Sequence, residues 1–276
     1  MERLWFITNP HSGSTSAAKC EAVEAVFHER GLTLVGRTHF PDDSLPDPAA
    51  LDAERVDTVV LFAGDGTINA AVCRLADWKG AVLILPGGTM NLLAKALHGD
   101  TDPHAIIHAA HKGGRRVPLP FVEAGPHRAF VGVILGPAAH WVRAREAARK
   151  GRVKALVAAA RNAWRRTFAR GIRLTGAAGL HKSYQAVFVA AADGALRVAA
   201  IDARDWRAIA QLGWEWLTGE WVAARAVDTT RVERLGIAGS RPVMALFDGE
   251  PALLEADAVV TAGETGPNYI STRGDA

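Results

Sequence analysis

LFAGDGTINAA, Leu61 to Ala71, sets an aspartate between two glycines where an apolar run gives way to a helix-like pattern. The run itself, VDTVVLFA (56–63), does not alternate, which predicts a strand buried on both faces of a parallel sheet. Working outward, LWFIT (4–8) and AVLILP (81–86) are runs of the same kind, and TLVGRT (33–38) is a weaker fourth. Helical patterns lie between them. Residues 15–30 carry an apolar stripe of Ala18, Ala22, Val26 and Phe27, and further helices are expected from about Ile68 and about Asn91. HFPDDSLPDP, dense in Pro and Asp, is expected to be a loop. Strands alternating with helices predict an α/β N-terminal domain with a parallel, Rossmann-like sheet.

From about Arg115 the texture changes to shorter strand candidates separated by Gly, Pro and polar turns, such as HRAFVGVIL, SYQAVFVAA, LRVAAID and RPVMALFDGEPALLEA. These predict a β-rich, mainly antiparallel second domain, interrupted by helical inserts at roughly 138–170 and 206–218. The expected division is 1–112 and 113–276, with ETGPNYISTRGDA as a loosely held tail.

Composition bounds the rest. With 276 residues, 49% hydrophobic and 22% charged, the chain can build ample core, and a net charge of +3 does not mark a nucleic-acid binder. Two cysteines, Cys20 and Cys73, suggest a reducing compartment rather than a disulfide framework. MERLWFITNP is too short an apolar stretch for a signal peptide, and nothing approaches the ~18 apolar residues of a membrane span. The expectation is a cytoplasmic protein.

Three Gly-bearing loops follow strands of the first domain: NPHSGS (9–14), AGDGT (63–67) and PGGT (86–89). In an open parallel sheet, ligands bind outside the carboxyl ends of the strands, so all three are expected on one crevice. Glycines let backbone N–H groups approach an oxygen-rich ligand, and a helix N-terminus behind each loop favours negative charge. Ser12, Ser14, Thr67 and Thr89 add hydroxyls. The plainer reading is a set of strand-to-helix turns with Ser or Thr caps; three in succession favour the ligand. No G-x-x-x-x-G-K-[ST] is present, and no G-x-G-x-x-G follows the first strand. A carboxylate beside a phosphate is repulsive unless it holds a metal ion or handles a proton, so Asp65 points to one of these.

NPHSG, then AGDGT opening a helix, then GT-x-N, then a late DGE resembles the diacylglycerol kinase catalytic-domain family, which includes bacterial lipid kinases and sphingosine and ceramide kinases. The resemblance is dense from residue 4 to about 97 and thin between about 115 and 240. It implies an ATP- and Mg²⁺-dependent kinase acting on a lipid hydroxyl. Asn9, Pro10, Ser12 and Gly13 then match the first nucleotide loop, and Thr38 a threonine facing the nucleotide. Gly64, Asp65, Gly66, Thr67 and Asn69 match the hallmark phosphate loop, and Thr89 and Asn91 the third. Asp248 and Glu250 match the late acidic motif that completes the active site from the second domain, with Glu250 as proton acceptor, Asp248 as its support or a magnesium ligand, and Asp65 as the other candidate magnesium ligand. By itself DGE is more often a hairpin turn.

Ala63 stands for the first glycine of GGDGT, Ala70 for a common glutamate, and Leu92 for the aspartate of GTxND. These departures motivate a second hypothesis, a nucleotide-binding regulatory relative with weakened catalysis. A kinase of NAD ranks last, because a TPTGSTAY-like element is missing.

The stretch 141–170 sets ten Lys or Arg against Glu146 alone and carries Trp141, Trp164 and Phe168. Such a helix suits an anionic membrane surface, or else a solvated face. Peripheral residence at the inner membrane face and a lipid substrate are the partners expected, with no nucleic acid. Trp206, Trp214, Trp216 and Trp221 are read first as core. Oligomeric state is open; edge strands leave a homodimer possible.

Overall fold

The computed structural model describes residues 1–11, 15–88, 91–99, 102–136, 171–201, 227–266 and 268–274. The two helical inserts, the basic stretch and the tryptophan group lie outside these residues. The chain divides into one unit of Met1–Leu119 with Glu264–Ala276, and a second of Pro120–Gly263.

The first unit runs β1 (Arg3–Thr8), α1 (Ala17–Glu29), β2 (Thr33–His39), α2 (Pro48–Ala53), β3 (Thr58–Ala63), α3 (Asp65–Arg74), β4 (Ala81–Pro86), α4 (Leu92–His98), α5 (Pro103–Gly113) and β5 (Arg115–Val117), and ends in β17 (Tyr269–Ser271). Its sheet has the order β2-β1-β3-β4-β17-β5, parallel except where β5 meets β17. Every residue of β3 and β4 is buried, as non-alternating apolar runs require. On one face Phe6, Phe62, Leu83 and Leu85 meet Val23, Val26 and Phe27 of α1 and Ile106 and Ile107 of α5. Each such side chain contributes about 1.5–3 kcal/mol by leaving water. Phe6 packs edge-on to Phe27 at 5.4 Å and parallel to Phe62 at 6.4 Å. The other face buries Val59, Leu61 and Ile84, and α3 covers β3 with Ile68, Ala71 and Val72 buried on it.

At the amino edge of this sheet one carboxylate does the joining. Asp57 accepts from the backbone N–H groups of Glu2 (2.6 Å) and Arg3 (2.9 Å) and from the Thr58 hydroxyl (2.6 Å). Burial pushes its pKa up, but these hydrogen bonds outweigh burial and hold it below the ordinary value.

Two short helices lie outside those expected from periodicity. α2 and α5 each begin with an aspartate cap followed by proline, Asp47-Pro48 and Asp102-Pro103, which is a start signal in its own right. The tail differs too. Tyr269, Ile270 and Ser271 are buried and fill the gap between β4 and β5, so the last strand belongs to the first unit. Burial, with Cys73 adding, pushes the Tyr269 phenol well above its ordinary pKa. A three-residue strand carries too little pattern to be read alone.

The second unit is β-rich and antiparallel: β6 (Pro120–Ala124), β7 (His127–Ala129), β8 (Val133–Leu135), β9 (Arg173–Thr175), β10 (Ala186–Ala192), β11 (Ala195–Ile201), β12 (Val227–Val232), β13 (Arg234–Ala238), β14 (Val243–Phe247), β15 (Glu250–Leu254) and β16 (Val259–Glu264). These form sheets of order β12-β11-β10-β8-β14-β15 and β7-β6-β16-β13-β9. Val122, Leu235 and Val260 from one sheet and Val133, Val187, Leu196 and Phe247 from the other make a single core. The fold class expected from sequence, a parallel α/β domain followed by antiparallel sheets, is what the chain adopts.

Two hairpins of this unit turn on the same dipeptide. Ala192 pairs with Ala195 across Asp193-Gly194, and Phe247 with Glu250 across Asp248-Gly249. All four turn residues have positive φ (51° and 72°, 49° and 92°), the two-residue turn that Asp-Gly favours.

Candidate functional site

Because β1 to β4 are parallel, their carboxyl ends, and the loops that follow, share one edge of the sheet. Side chains and backbone tie these loops together. The Asn9 amide donates to the Thr67 hydroxyl (2.8 Å), joining the first loop to the hallmark loop, while its carbonyl accepts the His11 N–H (2.8 Å). The Thr15 hydroxyl donates to the Gly87 carbonyl (2.9 Å), joining the first loop to the third. The Asp65 carboxylate accepts the Leu92 N–H (3.1 Å), joining the hallmark loop to the start of α4, and the Asn91 carbonyl oxygen accepts the Gly88 N–H (2.7 Å).

The hallmark helix begins earlier than the expected Ile68. Gly64 is its cap, and Asp65, Gly66 and Thr67 form the first turn of the ten-residue α3. An acid in that turn meets the positive end of the helix dipole, worth about 0.3–1 kcal/mol. Asp65 therefore has two local roles, at the dipole and on the Leu92 N–H, beside any it has toward a ligand. Gly64 supplies no side-chain cap, so the first-turn amides have no capping oxygen from that position. Asn69 sits one turn on, where the Cys73 thiol donates to it (3.6 Å).

The glycines of the third loop are there for space. A Cβ on Gly87 would lie 2.5 Å from the Ala63 nitrogen, and one on Gly88 2.7 Å from the Gly64 Cα. The third loop packs directly on the backbone of the second, and only glycine permits it. Ala63 itself is the buried last residue of β3 and is not among the positive-φ residues, so its methyl group is compatible with the turn.

Thr38 is 2% exposed and accepts from the Trp5 indole N–H (2.9 Å). The indole lies flat over Gly36, where a Cβ would come within 2.3 Å of it. Trp5, Thr15 and the Leu92 amide were not anticipated; a tryptophan in a strand and a backbone N–H carry no sequence signal for such contacts. Pro10 is exposed at the first loop, and Ser12, Gly13, Ser14 and Thr89 lie outside the described residues.

The late acidic motif belongs to the second unit. Glu250 opens β15 and is exposed. Asp248 is half-buried, and its carboxylate accepts three backbone N–H groups: Phe130 (2.8 Å), Val131 (2.9 Å) and Gly132 (3.0 Å). The His127 ring, also unanticipated, packs on Phe247 with centroids 5.3 Å apart.

Among the described residues, no three His, Cys, Asp or Glu side chains converge into a cluster able to hold a metal alone. Mg²⁺ beside a nucleotide asks for less, one or two carboxylates with phosphate oxygens and water. Asp65, at the carboxyl edge of the parallel sheet, fits that demand. Asp248 has both carboxylate oxygens engaged by N–H donors. An open cavity of about 690 Å³ lies elsewhere, between α1 and β2, with Glu21 and Glu24 on its wall. His28 and Arg37 line it too, and Arg37 is paired with Glu24 (2.7 Å).

Residues 3–119 match the diacylglycerol kinase catalytic domain. A protein of Streptococcus pneumoniae serotype 4 (strain ATCC BAA-334 / TIGR4), named as a candidate lipid kinase, is 31% identical over 121 residues, 39% of this chain and 38% of the relative. The match thus spans little more than a third of that relative's length. Two crystal structures from Bacillus anthracis str. Sterne share the fold along nearly all of the chain. One, of a candidate diacylglycerol kinase, has a TM-score of 0.65 at 17% identity, covering 98% of this chain and 97% of that one. The other, of a diacylglycerol kinase, has a TM-score of 0.62 at 14% identity, covering 99% and 97%.

Proposed function

From a first unit that belongs to the diacylglycerol kinase catalytic domain family, we propose an ATP- and Mg²⁺-dependent lipid kinase that transfers the γ-phosphate to a lipid hydroxyl, with diacylglycerol as first choice of acceptor. The observation that carries this reading is the cross-linking of three loops at the carboxyl edge of the parallel sheet, with Asp65 in the first turn of α3.

Phosphoryl transfer asks a protein mainly for position and charge stabilisation. In this reading the first-turn amides of α3 and the hydroxyl of Thr67, held by Asn9, receive phosphate oxygens. Thr38, buried and held by Trp5, backs the nucleotide from β2 without reaching solvent itself. Asp65 would hold Mg²⁺, which when bound neutralises charge between phosphates. Glu250 accepts the proton of the attacking hydroxyl, which an exposed carboxylate can do within hydrogen-bond reach.

The membrane belongs to the same reading. A lipid acceptor requires access to a bilayer, and the basic stretch with Trp141 and Trp164 supplies an anionic-surface affinity. Among the described residues no helix is long and apolar enough to cross a membrane. We place the protein at the cytoplasmic face, peripherally bound.

The test is transfer of label from ATP, with Mg²⁺, to micellar diacylglycerol, monoacylglycerol, ceramide and sphingosine. Label on one lipid, lost in Asp65→Ala and Glu250→Ala, is the expected outcome and names the substrate. ATP binding without transfer to any of them would favour the regulatory relative that Ala70 and Leu92 motivate.

A further inference from the structure

The late acidic motif contains two carboxylates, and the geometry gives them different work. We infer that Asp248 is a positioning residue that locks the β7–β8 connection to the β14–β15 hairpin, and that it is not a magnesium ligand. The magnesium part rests on the kinase reading; the lock does not.

Phe130, Val131 and Gly132 are consecutive, and their three N–H groups converge on one carboxylate at 2.8–3.0 Å. Successive amides of this kind make a concavity that binds anions, and here the anion is internal. The link is reciprocal, because the Asp248 N–H donates to the Gly132 carbonyl (3.1 Å). A carboxylate has about four lone-pair sites. Three face amide hydrogens, so a divalent cation would meet partial positive charge and compete with those donors.

The locked segment has little room to move. A Cβ on Gly132 would lie 2.6 Å from the Phe188 ring and 2.9 Å from the Val189 carbonyl, so the connection lies tight against β10. On the other side of the lock, Phe247 pairs with Val133 on β8 and with Glu250 on β15. Glu250 follows the turn directly. The lock therefore fixes where Glu250 emerges, and it sets β7, with His127, against Phe247. Asp193-Gly194 shows that the turn does not need such a lock, because the same dipeptide makes the same turn with its side chain 81% exposed. In DGE, then, Asp fastens, Gly turns and Glu is left to the solvent side.

The test uses the full chain in two arms. First, amide hydrogen exchange at residues 130–132 is measured in wild type and Asp248→Asn; Asn suits the positive-φ turn but cannot accept three donors. Exchange there should accelerate on the order of tenfold or more, with β10–β11 amides unchanged. Unchanged exchange at residues 130–132 would overturn the lock. Second, if the chain proves a kinase, Asp248→Asn should lower kcat on the order of tenfold while leaving the ATP KM and the half-saturating Mg²⁺ within about twofold. A tenfold rise in half-saturating Mg²⁺ would mark a metal ligand and overturn the inference. Should the variant fail to fold, wild-type exchange at residues 130–132 with ADP, with and without saturating Mg²⁺, decides the same point. Faster exchange with Mg²⁺ would show the cation competing with the amides for this carboxylate and overturn the inference; unchanged exchange supports it. Failure of the kinase reading leaves the first arm standing, so the two failures are distinguishable.

Discussion

The two Asp-Gly hairpins of the second unit share dipeptide, loop length and backbone, yet their aspartates have opposite fates. The Asp193 side chain is 81% exposed, and its carboxylate has one long contact to Arg231 (3.4 Å), whose guanidinium also donates to the Asp193 backbone carbonyl (2.9 Å). Asp248 gathers three backbone N–H groups from another part of the chain. The difference teaches that a turn motif specifies its backbone and nothing more. The role of the side chain is decided by what the fold brings opposite it.

That contrast is open to measurement, and the largest effect should come from the carboxylates themselves. Asp248→Ala leaves three amides without their acceptor and should destabilise the second unit by about 2–4 kcal/mol. Asp193→Ala, losing an exposed ion pair, should stay within about 0.5 kcal/mol. Urea denaturation of both variants checks this, and equal losses would break the comparison.

Next in size is a glycine needed for space rather than for φ. Gly88→Ala drives a methyl group against the Gly64 backbone, and neither chain segment is a flexible side chain. A loss of about 1–3 kcal/mol is expected, accompanied by weaker ATP binding if the loops cradle phosphates. Thermal melts with and without ATP separate the two effects. The turn glycines should be alike. Gly194→Ala and Gly249→Ala, at φ of 72° and 92° with nothing within 4 Å of either Cβ, should each cost about 1–2 kcal/mol. A large inequality would mean that the lock at Asp248 strains its turn.

The smallest effect concerns Asp57, the first unit's counterpart of the lock. Its folded pKa lies below the ordinary 3.8. The stability it adds is therefore fully present above that value and is lost as pH falls through the lower, folded one. Asp57→Asn should flatten the acid limb of the stability–pH curve below about pH 4 while leaving its shape near neutrality unchanged. An unaltered acid limb would assign that stability to other carboxylates.

Much of the first unit was legible because buried parallel strands write themselves as uninterrupted apolar runs: AVLILP is β4 residue for residue, and VDTVVLFA contains β3. The candidate site residues were legible as types at an edge, Asn9, Asp65, Thr67 and Asn91 among them. Their partners were not. The Leu92 N–H that meets Asp65 is 27 residues away, and the Trp5 indole that holds Thr38 is 33 away. Periodicity is a local property and cannot name such contacts. The place of the tail was not legible for the same reason, since β17 joins a sheet begun some 260 residues earlier and is too short to announce itself.

By itself, then, the sequence determined strand runs, caps, turn dipeptides and the residue types crowded at one sheet edge, all set by local sterics and by the period of burial. Tertiary structure alone decided which aspartate is a lock and which lies in solvent, which glycine is spatial and which conformational, and where the tail belongs. Those depend on groups distant in the chain, whose hydrogen bonds and excluded volume exist only once the chain has folded.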